Sequence, residues 1–279
     1  MRFGRLTGLL LLPLLALLAL FLYGLGRLVW SSFTGSPGSG PSLDLYRQFF
    51  ARADYVDVLF RTLWVAALTT LVSLVIGYPV AYFVARYQGR RDWLLVLILL
   101  PWLVSVVVRT YGWIVILGNR GLLNGFLAWL GVIDAPIKLM FNTTGVVIGL
   151  VHVFCPFMIL AILAVFLQLE RSQEEASMSL GAGPFETFWR VVLPLSLPGV
   201  VSGVMLVYLM STGAIVTPLL LGGLRDRMLG TQIYQEMLQL FDYPKAATIA
   251  VILTATALLV VLPLQWLERR VSRNLKGAS

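Results

Sequence analysis

The sequence predicts an all-α protein that crosses a membrane six times, and three observations carry that expectation. Of the 279 residues 59% are apolar and only 12% charged, against about 45–50% and about 25% in soluble domains. Mean hydropathy is +0.88. The apolar residues gather into runs of roughly 20, which takes an α-helix at about 1.5 Å per residue across a hydrocarbon layer about 30 Å thick. Porin-like barrels, whose mark is dyad alternation in strands of about 10 residues, are excluded, and so are soluble enzymes and disordered scaffolds.

The spans are read over 8–30, 58–85, 93–117, 145–168, 199–221 and 246–267, within one membrane domain covering 1–279. Arg2 and Arg5 give the first run the look of a signal peptide, but no small-x-small cleavage site follows it, so it is kept as a helix. Ser31 to Ser42 (SSFTGSPGSGPS) reads as a flexible linker, and Leu45 to Phe50 as a short amphipathic piece. Asn119 to Asn142 is a loop whose apolar LLNGFLAWLGVI stretch is expected to lie as a short interfacial helix. Asn142 and Thr143 are expected to cap the fourth span rather than to serve as a glycosylation sequon. Each span carries a proline: Pro13, Pro79, Pro101, Pro156, Pro218 and Pro263. Proline removes a backbone donor and kinks a helix, which suggests irregular helices around a path or a moving joint; general tolerance of proline in membrane helices is the alternative.

A net charge of +8 in a soluble chain would suggest nucleic acid, but here the basic residues border the spans. Segments 1–7, 86–92 and 268–279 hold nine Lys/Arg in 26 residues, whereas 34–56, 119–142 and 223–245 hold seven in 70. The positive-inside rule then puts both termini in the cytoplasm. The partner implied is a lipid bilayer, with no nucleic acid.

Cys155 is the only cysteine, so neither a disulfide nor a Cys-based zinc site can form within the chain. His152 and Cys155 stand at i, i+3, but one His and one Cys without a carboxylate do not make a ligand set, and helix packing is the expected role. No metal site is expected. Asp and Glu are missing from the span interiors, no Ser/His/Asp set stands out, and no catalytic residue is assigned.

The longest inner segment, 171–198, reads RSQEEASMSLGAGPFETFWRVVLPLSLP. It predicts two short helices. Ser172 and Glu175 fit an S-x-x-E capping box for the first, and Gly181 to Gly183 can take positive φ where it stops. Pro184 at the first position and Glu186 in the first turn suit the start of the second. Phe185, Phe188 and Trp189 fall on one helical face, and the whole is expected to form a cytosolic knob that docks a partner.

Within it the spacing Glu175-Ala176-Ser177, three residues, Gly181, nine residues, Val191, one residue, Leu193-Pro194 resembles the EAA loop of permease subunits from ATP-binding-cassette (ABC) importers, whose pattern is E-A-A-x3-G-x9-I-x-L-P. Ser177 and Val191 depart from it conservatively. The chain resembles spermidine/putrescine-type permeases from about Leu43 to Arg270, through GYPVAYFVAR (77–86), VRTYGWIVILGNRGLLN (108–124), the EAA loop, VTPLLLGG (216–223) and IYQ (233–235). The resemblance implies a type I importer architecture in a bacterial inner membrane, with a second permease, two cytosolic ATPase subunits and a periplasmic substrate-binding protein as partners. Glu174, Glu175, Ala176, Ser177, Gly181, Leu193 and Pro194 would couple to the ATPase. The chain contains no G-x-x-x-x-G-K-[S/T] loop, so ATP and Mg belong to the partner ATPase, no cofactor is expected in this chain, and it is not an enzyme.

The implied cargo is a polyamine. A tight membrane site for such a cation would offer Asp, Glu or an aromatic cage, whereas the spans carry Arg61 and Arg109 with Tyr111, Trp113, Tyr208 and Thr212 as neutral path candidates. An amino-acid-like or anionic solute is the alternative. A secondary transporter or channel would call for inverted repeats or an intramembrane acid, neither of which is evident, and a non-transporting scaffold leaves the EAA loop unexplained.

Overall fold

The computed structural model describes residues 3–35, 40–223 and 225–276, with side chains described between 12 and 266. Arg2, Ser39 and part of the linker lie outside the described residues, as do the side chains of Arg5 and of the basic residues beyond Trp266. Among the described residues thirteen helices follow in order: α1 (Phe3–Phe33), α2 (Asp44–Ala51), α3 (Ala53–Arg86), α4 (Arg91–Leu103), α5 (Val106–Leu117), α6 (Leu122–Trp129), α7 (Thr143–Phe166), α8 (Arg171–Ser179), α9 (Pro184–Thr187), α10 (Leu193–Thr212), α11 (Val216–Leu221), α12 (Leu229–Leu238) and α13 (Tyr243–Lys276). A π turn, Phe188–Val192, joins α9 to α10. Among the described residues five helical stretches are long and apolar enough to cross a membrane, or six if the bent pair α4 and α5–α6 counts as one.

Two compact units divide the chain, one of residues 1–57 and 232–254, the other of 58–231 and 255–279. In the first, Thr248 donates to the Ser32 carbonyl at 3.1 Å and Phe33 tilts against Tyr46. In the second, α7 is the centre. Its sequence is apolar on every side, so the helix is stable only when neighbours cover all of it. Asn142 caps it as expected, accepting from Gly145 N–H at 2.9 Å, and Thr143 donates to Asp226 Oδ1 at 2.6 Å.

Helices in lipid gain no hydrophobic free energy by meeting, so close packing of small residues must hold them. Gly199 and Gly203, spaced G-x-x-x-G on α10, supply it. A Cβ on Gly203 would stand 2.7 Å from Met158 Sδ, and one on Gly199 would meet the Ala161 carbonyl and the Ile162 Cα at 3.1 Å. Met158 is wholly buried and lies on its other side against Gly77 of α3, where a Cβ would come within 3.1 Å of its Cγ.

Two spans depart from expectation. The third, read as one helix over 93–117, is broken: Val104 and Ser105 adopt extended backbone and the axis turns by 89°. Pro101 stands in the last turn before the break, where its ring removes a helix hydrogen bond. The fifth, read over 199–221, is in fact helical from Pro184 to Thr212 and stops at Gly213; Pro218 lies in the separate α11. The short α2 and α6 are helical, as read for the amphipathic and apolar pieces of the loops.

Candidate functional site

Helix α8 ends in a Schellman motif. Ala182 N–H reaches the Ser177 carbonyl at 3.2 Å, Gly181 N–H reaches Met178 at 3.0 Å, and Gly181 takes φ +94°. A side chain there is opposed by backbone strain alone, because nothing lies within 4 Å of where its Cβ would be. Gly183 then turns the chain in extended conformation, and Pro184 opens α9 at its first position, where no N–H is needed.

The start of α8 differs from expectation. Its cap residue is Glu170, not Ser172, so Ser172 and Glu175 form no capping box; Ser172 instead donates to Glu170 Oε2 at 3.0 Å. Glu175 and Ala176 are exposed, whereas the Glu174 side chain is largely buried. Its carboxylate accepts from Tyr82 Oη at 3.2 Å and pairs with the Arg86 guanidinium, which also lies over the Tyr82 ring. Arg171 returns the link by donating to the Arg86 carbonyl at 2.6 Å. Tyr78, Tyr82 and Arg86 recur every four residues on α3, so one stripe of that helix meets the loop. Tyr78 and Tyr82 both stand edge-on to Phe166 at 5.5 Å, Tyr78 also meets Phe188, and its hydroxyl lies 2.9 Å from Ser196 Oγ.

The second helix of the loop is not a separate piece. Leu193 N–H bonds to the Phe188 carbonyl five residues back, and Pro194, lacking a donor, follows at once. The Leu193-Pro194 pair thus sits where a π turn carries α9 into α10. Ser177 Oγ lies 3.1 Å from Thr187 Oγ1 and ties α8 to that helix. The aromatic face is divided: Phe188 turns inward onto Tyr78, while Phe185 and Trp189 remain outside, edge to face at 6.1 Å. With Met178 and with Leu180, which is 90% exposed, they leave apolar side chains on the outside of the loop.

The path candidates do not converge. Tyr111 is exposed; Trp113 is partly buried and donates to His152 Nδ1 at 3.1 Å. Tyr208 is buried against Ala66 and Val261, and Thr212 is buried with its hydroxyl on the Leu209 carbonyl at 2.8 Å. Arg109 donates to the Pro101 carbonyl, in the last turn of α4 before the break, and its Nε is buried without a hydrogen-bond partner. Arg61 donates to the Arg225 carbonyl. Between α3, α4, α5 and α7 runs an apolar groove of about 620 Å³, lined by residues such as Val72, Leu97, Pro101, Val151 and Pro156. Cys155 is buried, its thiol 3.9 Å from the Ser73 carbonyl, and no metal-ligand cluster occurs among the described residues.

A family model described as the binding-protein-dependent transport system inner membrane component matches residues 74–276, a range that contains the whole loop and the stripe of Tyr78, Tyr82 and Arg86 that braces it. The chain belongs to this family. It is 37% identical over 209 residues to the spermidine/putrescine transport system permease protein PotB of Escherichia coli (strain K12), covering 75% of this chain and 76% of the relative. PotB of Haemophilus influenzae is 35% identical over 208 residues, covering 74% and 73%. The fold matches a crystal structure of a bacterial ABC transporter involved in the import of the acidic polysaccharide alginate, with a TM-score of 0.78 at 19% identity over 95% of both chains. The chain is therefore an ABC importer permease, a multi-pass inner-membrane subunit of an ATP-driven transporter.

For this permease the sequence pattern located the EAA loop but missed what holds it. GYPVAYFVAR was legible as a family string. Its four-residue stripe of Tyr78, Tyr82 and Arg86 was the signal for a helix face turned toward the loop.

Proposed function

We propose that this permease carries a polyamine across the inner membrane as half of a paired permease, and that α8 is the coupling helix that seats in a cytosolic ATPase subunit. The carrying observation is the helix itself: ended by a Schellman turn, braced by Glu174 on Arg86 and Tyr82, and flanked by the exposed Met178, Leu180, Phe185 and Trp189. Exposed apolar groups at the end of a rigid element are what a protein partner buries. The assembly has a second permease, two ATPase subunits that hold ATP and Mg, and a periplasmic binding protein that delivers the solute. Both termini are cytoplasmic, which puts α8 on the ATPase side. Polyamine cargo is supported by the names of the PotB relatives.

The test is co-purification and uptake. Phe185→Glu with Trp189→Glu should leave the permease in the membrane, lose the ATPase on affinity purification, and abolish spermidine uptake. Retention of the ATPase by that variant would overturn the coupling assignment. Spermidine uptake blocked by excess anionic solute but not by putrescine would overturn the cargo.

A further inference from the structure

The segment 223–245 holds a buried carboxylate that no sequence pattern singles out. Glu236, on α12, is 5% exposed in its side chain. Its Oε1 accepts from Tyr55 Oη at 3.0 Å and stands 2.7 Å from Lys245 Nζ. Its Oε2 is buried and has no hydrogen-bond partner. Lys245 Nζ also lies 5.4 Å from the centre of the Tyr55 ring, and the Arg52 guanidinium lies 4.6 Å from the same centre while paired with Asp54 at 2.8 Å. All these residues belong to one compact unit.

We propose that Glu236 and Tyr55 form a receptor for a primary ammonium group of the solute, which the ammonium of Lys245 fills in competition with it. This rests on the polyamine reading and extends it to a place. A carboxylate beside an aromatic face suits a primary ammonium, which brings three N–H donors and a charge that the ring attracts. Lys245 is that same group on a four-carbon tether. A simple tie between two helices would saturate the carboxylate, yet both donors crowd Oε1 and Oε2 keeps its full accepting capacity at a buried position, where an unmade hydrogen bond is costly. Beside the pair opens a cavity of about 200 Å³ bordered by Gln48, Arg52, Tyr55, Asp242 and Lys245. Asp242 offers a second anion there for a second ammonium, and its Oδ1 holds the Lys245 backbone N–H at 3.1 Å, so the base of the tether is anchored independently of the ammonium at its end. The Lys245 side chain is 30% exposed, which gives the head a way out. The apparent affinity for the solute is then lowered by the fraction of time that Lys245 occupies the receptor.

The chain has only three lysines, Lys138, Lys245 and Lys276, which makes the exchange readable. In the assembled importer without binding protein, lysines are acetylated and the extent is read by mass spectrometry, with exposed Lys138 as the internal reference. Saturating spermidine should raise Lys245 acetylation relative to Lys138 by about tenfold, the change expected if the fraction of time Lys245 spends out of the pair rises from about one tenth to nearly all, and 1,4-butanediol should not. Glu236→Gln should give the high value with or without spermidine, and Tyr55→Phe, which keeps the ring, an intermediate one. An unchanged Lys245/Lys138 ratio in an importer that transports spermidine overturns the receptor alone. An importer that neither transports spermidine nor responds to it overturns the cargo reading and the receptor with it.

Discussion

The Tyr82 hydroxyl donates to Glu174 Oε2 at 3.2 Å, which fastens the first turn of α8 to the C-terminal end of α3. Arg86 holds the other carboxylate oxygen, and both members of that ion pair are more than four-fifths buried. Hydrogen bonds to a charged group contribute about 1.5–3 kcal/mol, more than an exposed ion pair does. Glu174→Gln should therefore lower ATP-coupled uptake by about tenfold while insertion holds, and a double-mutant cycle with Arg86→Met should show a coupling of about 1 kcal/mol or more in unfolding measurements. Additive effects of the two substitutions would show that the pair does not brace the loop.

Gly181 separates a conformational cost from a steric one. Its φ of +94° is strained for any L side chain, although the space around it is open. Gly181→Val should cost about 1–2 kcal/mol in the turn and release the permease from its ATPase. Gly181→Asn, which tolerates positive φ better, should keep most of the association in the same pull-down.

The two glycines of α10 should respond unequally. At Gly203 the nearest obstacle is the far end of a flexible methionine; at Gly199 the obstacles include backbone atoms of α7 that cannot step aside. Gly199→Ala is expected to cost about 1–3 kcal/mol through overpacking, and Gly203→Ala less. Thermal inactivation of the detergent-solubilised permease reads the order, and equal losses would contradict the packing described.

Orientation is testable at described positions. In a Cys155→Ala background, Arg225→Cys should react with an impermeant thiol reagent added outside sealed cells, and Arg90→Cys should not. The reverse pattern would invert the topology and remove α8 from the cytoplasm.

Local chemistry was legible wherever one residue settles a backbone state. Gly181 and Pro184 marked the end of one helix and the start of the next, and Asn142 marked a cap, because each acts on its immediate neighbours. The break at Val104 and Ser105 was not legible, since the apolar run continues through it and only the tertiary fold decides that the helix turns there. The surroundings of Arg109 were hidden for the same reason, because its guanidinium reaches back across the break to the Pro101 carbonyl. Glu236 stayed hidden because its burial depends on Tyr55, 181 residues away in sequence.

The π turn at Phe188–Val192 makes one rod of what the sequence presents as a loop helix and a membrane helix. Twenty-nine residues at about 1.5 Å each span roughly 43 Å, so a tilt of about 10° at one end sweeps the other by about 7 Å. Phe185 stands at one extremity and buried Thr212 at the other. A rotation imposed on the first by a partner is passed toward the second through the π turn and past Pro198, the two places in this helix where bending costs least.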